Sequence, residues 1–413
     1  MRSRAAFDHD GYPIRNVDAQ KFLWTLSGLL VALGRYLGER ALHVCLSVSG
    51  AFPHHARFFR FAGGAEAAAF GAGSVLSGPV SGFAADRFGR RPVLLLSLGL
   101  SAAFTALLAT LSSRWAIGSA VLALGLAWSA YRPVASAVIA DVVPPTGRAR
   151  AFGWIYWAHN LGLAISLAGG GTLAALGYRT LFLADAATTF LFLLVVAWRI
   201  PETSAPATVQ AGTEPRGFGP VLRDCHFVLF LAVNLLFILP FFQFQVSLPV
   251  DMAQHGLGPQ GFGLALAVNG VLIALLQPVA GRVLPRFQPA LVLCIACVLV
   301  AAGYGAYAFC HNVPEYALAT SVWTLGEILY FPVASALVAS LAPKGLQGRY
   351  QGLFSMSFGI GTTLAPLTGP QLMEHFGAPV LWRSCFGVGL LVAFAELAIG
   401  RLRATRHQPL IKL

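Results

Sequence analysis

A chain of 413 residues that is 57% hydrophobic and only 11% charged is excluded from the ordinary soluble class, in which about a quarter of residues carry charge. The bilayer is its solvent. The formal net charge of +12 comes with no basic patch interleaved with aromatics, so nucleic acid is excluded as a partner. No nucleotide loop, Ser/His/Asp arrangement or metal-ligand spacing occurs; the chain is therefore expected to be no enzyme and to use no metal or cofactor.

Residues 1–21 are polar and lack the apolar core of a signal peptide, which predicts a cytoplasmic N-terminal tail. Twelve apolar runs follow, near 22–48, 65–85, 93–111, 115–141, 152–174, 180–198, 227–250, 261–281, 289–309, 315–341, 350–371 and 384–400. Each is long enough to cross a hydrocarbon core of about 30 Å. The composition and these runs predict an all-α membrane protein with twelve transmembrane helices. With the N-terminus inside, inner segments hold 20 of the 28 Lys and Arg, so both termini are expected in the cytoplasm, 401–413 forming a second tail.

An ionisable side chain within hydrocarbon costs several kcal/mol unless paired or wetted, so each one is a functional candidate. Arg35 and Glu39 share a face of the first span, as an ion pair or as part of a substrate or proton site. Between the second and third spans lies Gly78-Pro-Val-Ser-Gly82-Phe-Ala-Ala-Asp86-Arg87-Phe-Gly89-Arg90-Arg91-Pro92, a short charged turn whose glycines let two helix ends approach. Arg132 stands near the middle of the fourth span. In the fifth, Asn160 is a polar cavity candidate, and Gly162, Gly170 and Gly171 mark close helix contact. Residues 199–226 read as a polar, Pro/Gly-rich cytoplasmic linker between a 22–198 bundle and a 227–400 bundle.

Gln243 and Gln245 in the seventh span, and Trp323 and Tyr330 in the tenth, are further cavity candidates, with helix bonding or core packing as the alternative for each. Cys294 and Cys297 form a C-x-x-C inside the ninth span with no second ligand pair, so apolar packing is expected of them. Glu327 is the buried-carboxyl candidate of the second half. Desolvation favours the protonated form of a carboxyl, which suits a proton carrier.

The chain also matches itself at an offset of 199 residues. Tyr131-Arg-Pro-Val-Ala-Ser-Ala137 aligns with Tyr330-Phe-Pro-Val-Ala-Ser-Ala336, and Arg150, Gly153, Gly162 and Gly170 align with Arg349, Gly352, Gly361 and Gly369. Such a register predicts a parallel duplication of six spans each.

The run Gly82-x-x-x-Asp86-Arg87-x-Gly89-Arg90-Arg91 resembles the loop between the second and third spans of the major facilitator superfamily. The segment around Glu327 resembles the tenth span of its proton-driven multidrug exporters. Gly162-x-x-x-Ser166-Leu167-x-x-Gly170-Gly171 is similar to the antiporter signature of that branch, with Ser-Leu in place of Gly-Pro; its repeat partner keeps Pro366.

The resemblance implies the two-bundle major facilitator fold and a conformational role for the Asp86 motif. It also implies proton coupling at Arg132 and Glu327. The expected activity is proton-coupled export of lipophilic or cationic compounds by alternating access, by a monomer in the plasma (inner) membrane; a transporter of a defined metabolite or lipid is the alternative, with an integral-membrane enzyme or receptor behind it. Its partners are then membrane lipid, a small-molecule substrate and protons. One proton moving down 100 mV releases about 2.3 kcal/mol, so the proton gradient suffices as the energy source.

Overall fold

Helices in this chain end where apolar runs give way to Gly, Pro and charge. In the computed structural model the backbone is described over residues 56–175, 178–203 and 217–406, with side chains over 69–113, 115–162, 179–180, 182–203 and 217–402. The expected first span, with Arg35 and Glu39, lies outside the described residues. The first described helix, α1 (Ala56–Phe88), stops at Gly89, whose φ of 101° admits glycine far more readily than other residues. Helix α2 (Arg90–Leu108) begins at the next residue, followed by α3 (Arg114–Val142), α4 (Pro145–Ala175) and α5 (Tyr178–Arg199).

In the second half come a one-turn helix α6 (Gly219–Leu222), then α7 (Cys225–Phe241), α8 (Gln243–Gln254), α9 (Pro259–Val283), α10 (Pro289–Ala306), α11 (Val313–Leu341), α12 (Gln347–Phe376) and α13 (Ala378–Arg406). Eight stretches of the described residues are long and apolar enough to cross a membrane.

Shifting α3 by 199 residues reproduces both ends of α11, so the duplication read in the sequence extends to helix boundaries. One predicted span is not a single helix. The seventh is interrupted at Phe242, because Pro240 has no N–H for the carbonyl one turn earlier. Tyr304 Oη donates to the Phe241 carbonyl at that break, which satisfies an acceptor the interrupted helix leaves open.

The second half is built on a broad aromatic core. Trp323, Tyr330 and Trp382 are all fully buried in it. Tyr330 stacks on Phe237 at 3.7 Å between ring centroids and donates its hydroxyl to Asn234 Oδ1 (3.0 Å), which fixes the ring along both axes.

Among the described residues, two seams join the halves. At the first, α1 meets α12 through main chain: a Cβ at Gly82 would collide with the Gly348 carbonyl, and one at Gly352 with the Gly78 carbonyl. The contact continues along the helices, with Gly359 lying against the Val75 backbone and Gly71 against Thr363. Small residues are what let two helices come this close. At the second seam α4 packs on α9 and α11. There Trp157 Nε1 donates to the Ala274 carbonyl (2.9 Å), and Gly153 faces Gln277.

Candidate substrate and proton site

At one end of the seams, Asp86 sits in the last turn of α1, where the helix dipole opposes a negative charge. Its carboxylate is stabilised from across the seam instead. The N-cap residue of α12, Leu346, has no side-chain acceptor. Asp86 supplies one, taking the N–H of Gly348 (2.8 Å) and of Arg349 (3.0 Å).

Asp86 also pairs with Arg90 (3.1 Å), which reaches on to Asp141 at the end of α3 (3.1 Å). Arg90 is 2% exposed, so both carboxylates are needed to compensate a guanidinium taken out of water. Glu202, on the segment after α5, caps α2 by accepting from Arg90 N (2.8 Å) and Arg91 N (3.1 Å). Gly89 leaves the room this carboxylate occupies.

Arg91 ties to the Ala197 carbonyl (2.6 Å), whereas Arg87 is exposed beside Phe88. On the same face Arg148 of α4 donates to the Ala339 carbonyl of α11 (2.8 Å) above a small apolar plug of Ile139, Ala140, Phe152 and Ala339. The face that carries Asp86 is thus closed by contacts between the halves.

Deeper along the second seam lies Glu327 of α11, 5% exposed. Tyr156 of α4 donates its hydroxyl to Glu327 Oε1. Asn269 of α9 donates its amide to Oε2 (2.5 Å) and also to Thr324 Oγ1 (2.9 Å). Among the described residues every one of these donors is neutral, and each offers a hydrogen to the carboxyl oxygens of Glu327.

The Tyr156 ring lies flat on Phe331 (5.3 Å, 27°), and the Asn160 amide holds the Tyr156 carbonyl (2.9 Å). Arg132 of α3 places its guanidinium over the Phe358 ring of α12 at 3.8 Å, a cation–π contact between the halves. It is also near enough to Tyr156 to act on its hydroxyl electrostatically. Thr320 and Thr324 continue a polar stripe along α11 from Glu327; Thr320 meets the Tyr307 hydroxyl at 2.7 Å.

Several sequence candidates land elsewhere. Among the described residues Trp323 and Tyr330 are fully buried and belong to the packed core of the second half, the alternative given for them in the sequence. Gln243 is 3% exposed, donates from α8 to the Ala365 carbonyl of α12 (3.3 Å) and accepts from Ser247 on its own helix (2.6 Å), while Gln245 is exposed. Asn160 is buried with its amide turned back to its own helix.

Gly162 is buried in α4, and the surroundings of Gly170 and Gly171 lie outside the described side chains. Pro366 is inside α12, between Gly361 and Gly369. A Cβ at Gly361 would strike Ile238, and one at Gly369 would strike Gln243. Tyr156, Asp141 and Glu202 were not singled out in the sequence as site residues. Tyr156 had a weak signal, standing one helical turn before Asn160 in the run Trp154-Ile-Tyr156-Trp157.

Paired helical halves closed on one face by a carboxylate cap, with a buried carboxyl between them, define an integral-membrane transporter rather than an enzyme. Comparison with known proteins agrees. The family model described as Major Facilitator Superfamily matches residues 25–251 and 225–412, and the chain belongs to that superfamily.

Among its relatives is the Na(+), Li(+), K(+)/H(+) antiporter of Planococcus maritimus, 26% identical over 72% of this chain and 78% of that protein. Another is multidrug resistance protein MdtH of Cronobacter sakazakii, 25% identical over 72% and 74%. The solved structure of the proton:xylose symporter XylE superposes with a TM-score of 0.75 at 15% identity, covering 93% of this chain and 98% of that one, and so shares the fold.

Proposed function

We propose that the protein exports lipophilic or cationic compounds in exchange for protons, by alternating access across the inner membrane, with Glu327 binding the coupling proton. In this reading the Asp86 face is cytoplasmic, as are both termini, and the conformation described above is the one closed to the cytoplasm. The observation that carries it is the setting of Glu327. A carboxyl buried at the seam between moving halves, held among the described residues by neutral donors, can gain and lose a proton without leaving a fixed charge unpaired. Relatives named for multidrug resistance and for cation/proton antiport support the reading. Arg132, one helix away, biases the polarity of the site.

The test is reconstitution of purified protein in liposomes bearing a proton gradient, with a panel of lipophilic cations, neutral drugs and the alkali cations. A wild-type gradient of up to roughly 50-fold per proton at 100 mV should fall to about one in Glu327→Gln, while downhill exchange persists. Uphill transport by Glu327→Gln at the wild-type level would remove Glu327 from coupling.

A further inference from the structure

We propose that Tyr156 is the positioning residue through which the proton on Glu327 decides which face of the transporter opens. The inference rests on Glu327 as the coupling site and adds to it the element that converts protonation into movement. Among the described residues, Tyr156 is the side chain of the first half that bonds Glu327, so the bond crosses the α4–α11 seam.

An ionised carboxylate accepts a phenol O–H in a charge-assisted bond roughly twice as strong as a neutral one. A protonated carboxyl gives up most of that advantage and brings a hydrogen of its own to place. The Tyr156 ring is stacked on Phe331 of α11, and Trp157, the next residue, is bonded to the Ala274 carbonyl of α9, so these contacts and the Tyr156–Glu327 bond together join α4 to the second half. Separation of α4 from α11 therefore has to break this hydrogen bond.

The direction follows. With Glu327 ionised, the bond holds the seam shut and the Asp86 face closed. A proton arriving from the opposite face weakens it, and the Asp86 face opens. Loss of the proton there restores the acceptor and favours reclosure. Among the described residues, the titratable and charged groups bearing on this switch are Tyr156 from α4, Arg132 from α3, which acts on the Tyr156 hydroxyl, and Tyr304 from α10, which senses Glu327 from farther off. Asn269 from α9 and Thr324 on α11 itself are neutral. Among the described residues, Tyr156 is the group that both touches Glu327 and belongs to the other half.

The experiment measures distances by electron–electron resonance between spin labels on noncanonical residues at Val142 and Lys344, on opposite sides of the Asp86 face, in liposomes from alkaline to mildly acidic pH. Acidification of the wild type should shift the ratio of separated to closed molecules by roughly tenfold, the factor one charge-assisted bond supplies. Tyr156→Phe keeps the stack on Phe331 and should give a flat pH response resembling the acidified wild type. Glu327→Gln should also be flat.

A wild-type pH response in Tyr156→Phe with a flat one in Glu327→Gln overturns the role of Tyr156 and leaves the coupling site standing. A wild-type response in Glu327→Gln overturns the coupling site as well. Should Tyr156→Phe fail to fold, 3-fluorotyrosine at position 156 replaces it. Its more acidic hydroxyl favours the ionised carboxylate and should move the midpoint to lower pH; an unmoved midpoint overturns the proposal.

Discussion

Valine at Gly352 should leave the transporter unable to close the Asp86 face. A Cβ there meets the Gly78 carbonyl at a distance no packed structure tolerates and stands 3.3 Å from Gly82 Cα. Both obstacles are main chain, so no rotamer change relieves them, and α1 and α12 have to move apart. Overpacking costs about 1–3 kcal/mol where neighbours can yield, and at this seam they cannot. We expect the closed population to fall by roughly 100-fold, since each 1.4 kcal/mol is a factor of ten, and transport to be lost with it while the protein still inserts and folds. Gly270→Val is the control, because nothing lies within 4 Å of a Cβ at that position. Equal distance distributions and equal transport in both variants would show that the seam does not limit closure.

Alanine at Asp86 should produce the same shift by a different cause. It removes the acceptor for two first-turn N–H groups of α12 and one of the two carboxylates that compensate buried Arg90. Losing a helix cap costs about 1 kcal/mol, and stripping one partner from a buried pair about 3–5 kcal/mol. The cap crosses the seam, so its share of the loss falls on the closed state alone. The Arg90 share is divided, because Asp86 and Arg90 both belong to the first half. We expect a displaced closed–open equilibrium together with a lower melting temperature. Asp86→Asn, which keeps one carbonyl acceptor, should show about half the displacement. If melting falls in both variants while distances across the Asp86 face stay fixed, Asp86 serves folding and not the switch.

What the sequence disclosed depended on whether a residue's reason was local. The duplication was legible because a repeated helix keeps its spacing, and the bounds of α3 and α11 agree to the residue. Glu327 stood out because a carboxylate in an apolar run has no local explanation. The Asp86 motif showed its charges and glycines, but not the acceptor role toward α12, because its partners are 262 and 263 residues away.

Tyr156 escaped notice for the same reason. A tyrosine among tryptophans in a membrane helix is ordinary, and only the packing of α4 on α11 gives its hydroxyl a purpose. Trp323 and Tyr330 left the choice between cavity wall and core packing open in the sequence. Aromatics at helical spacing look alike whether they wall a cavity or fill a core, and the difference appears only when Phe237, Tyr304 and Tyr307 are found around them.

The glycine contact between α1 and α12 has a further consequence for speed. Immobilising a long side chain costs up to about 2 kcal/mol of rotamer entropy, whereas glycine has no side chain to immobilise. Where Gly78, Gly82, Gly348 and Gly352 meet, joining and parting change the order of almost nothing but the helices as rigid rods. A transporter has to make and break this contact once per molecule carried. A surface of interlocked leucines would have to rearrange side chains at each turn, while one of bare main chain can slide together without sorting through alternatives. Under the proposed mechanism, turnover should be set by the polar bonds at Asp86 and Glu327, and the temperature dependence of the cycle should follow those bonds and not the area of the contact.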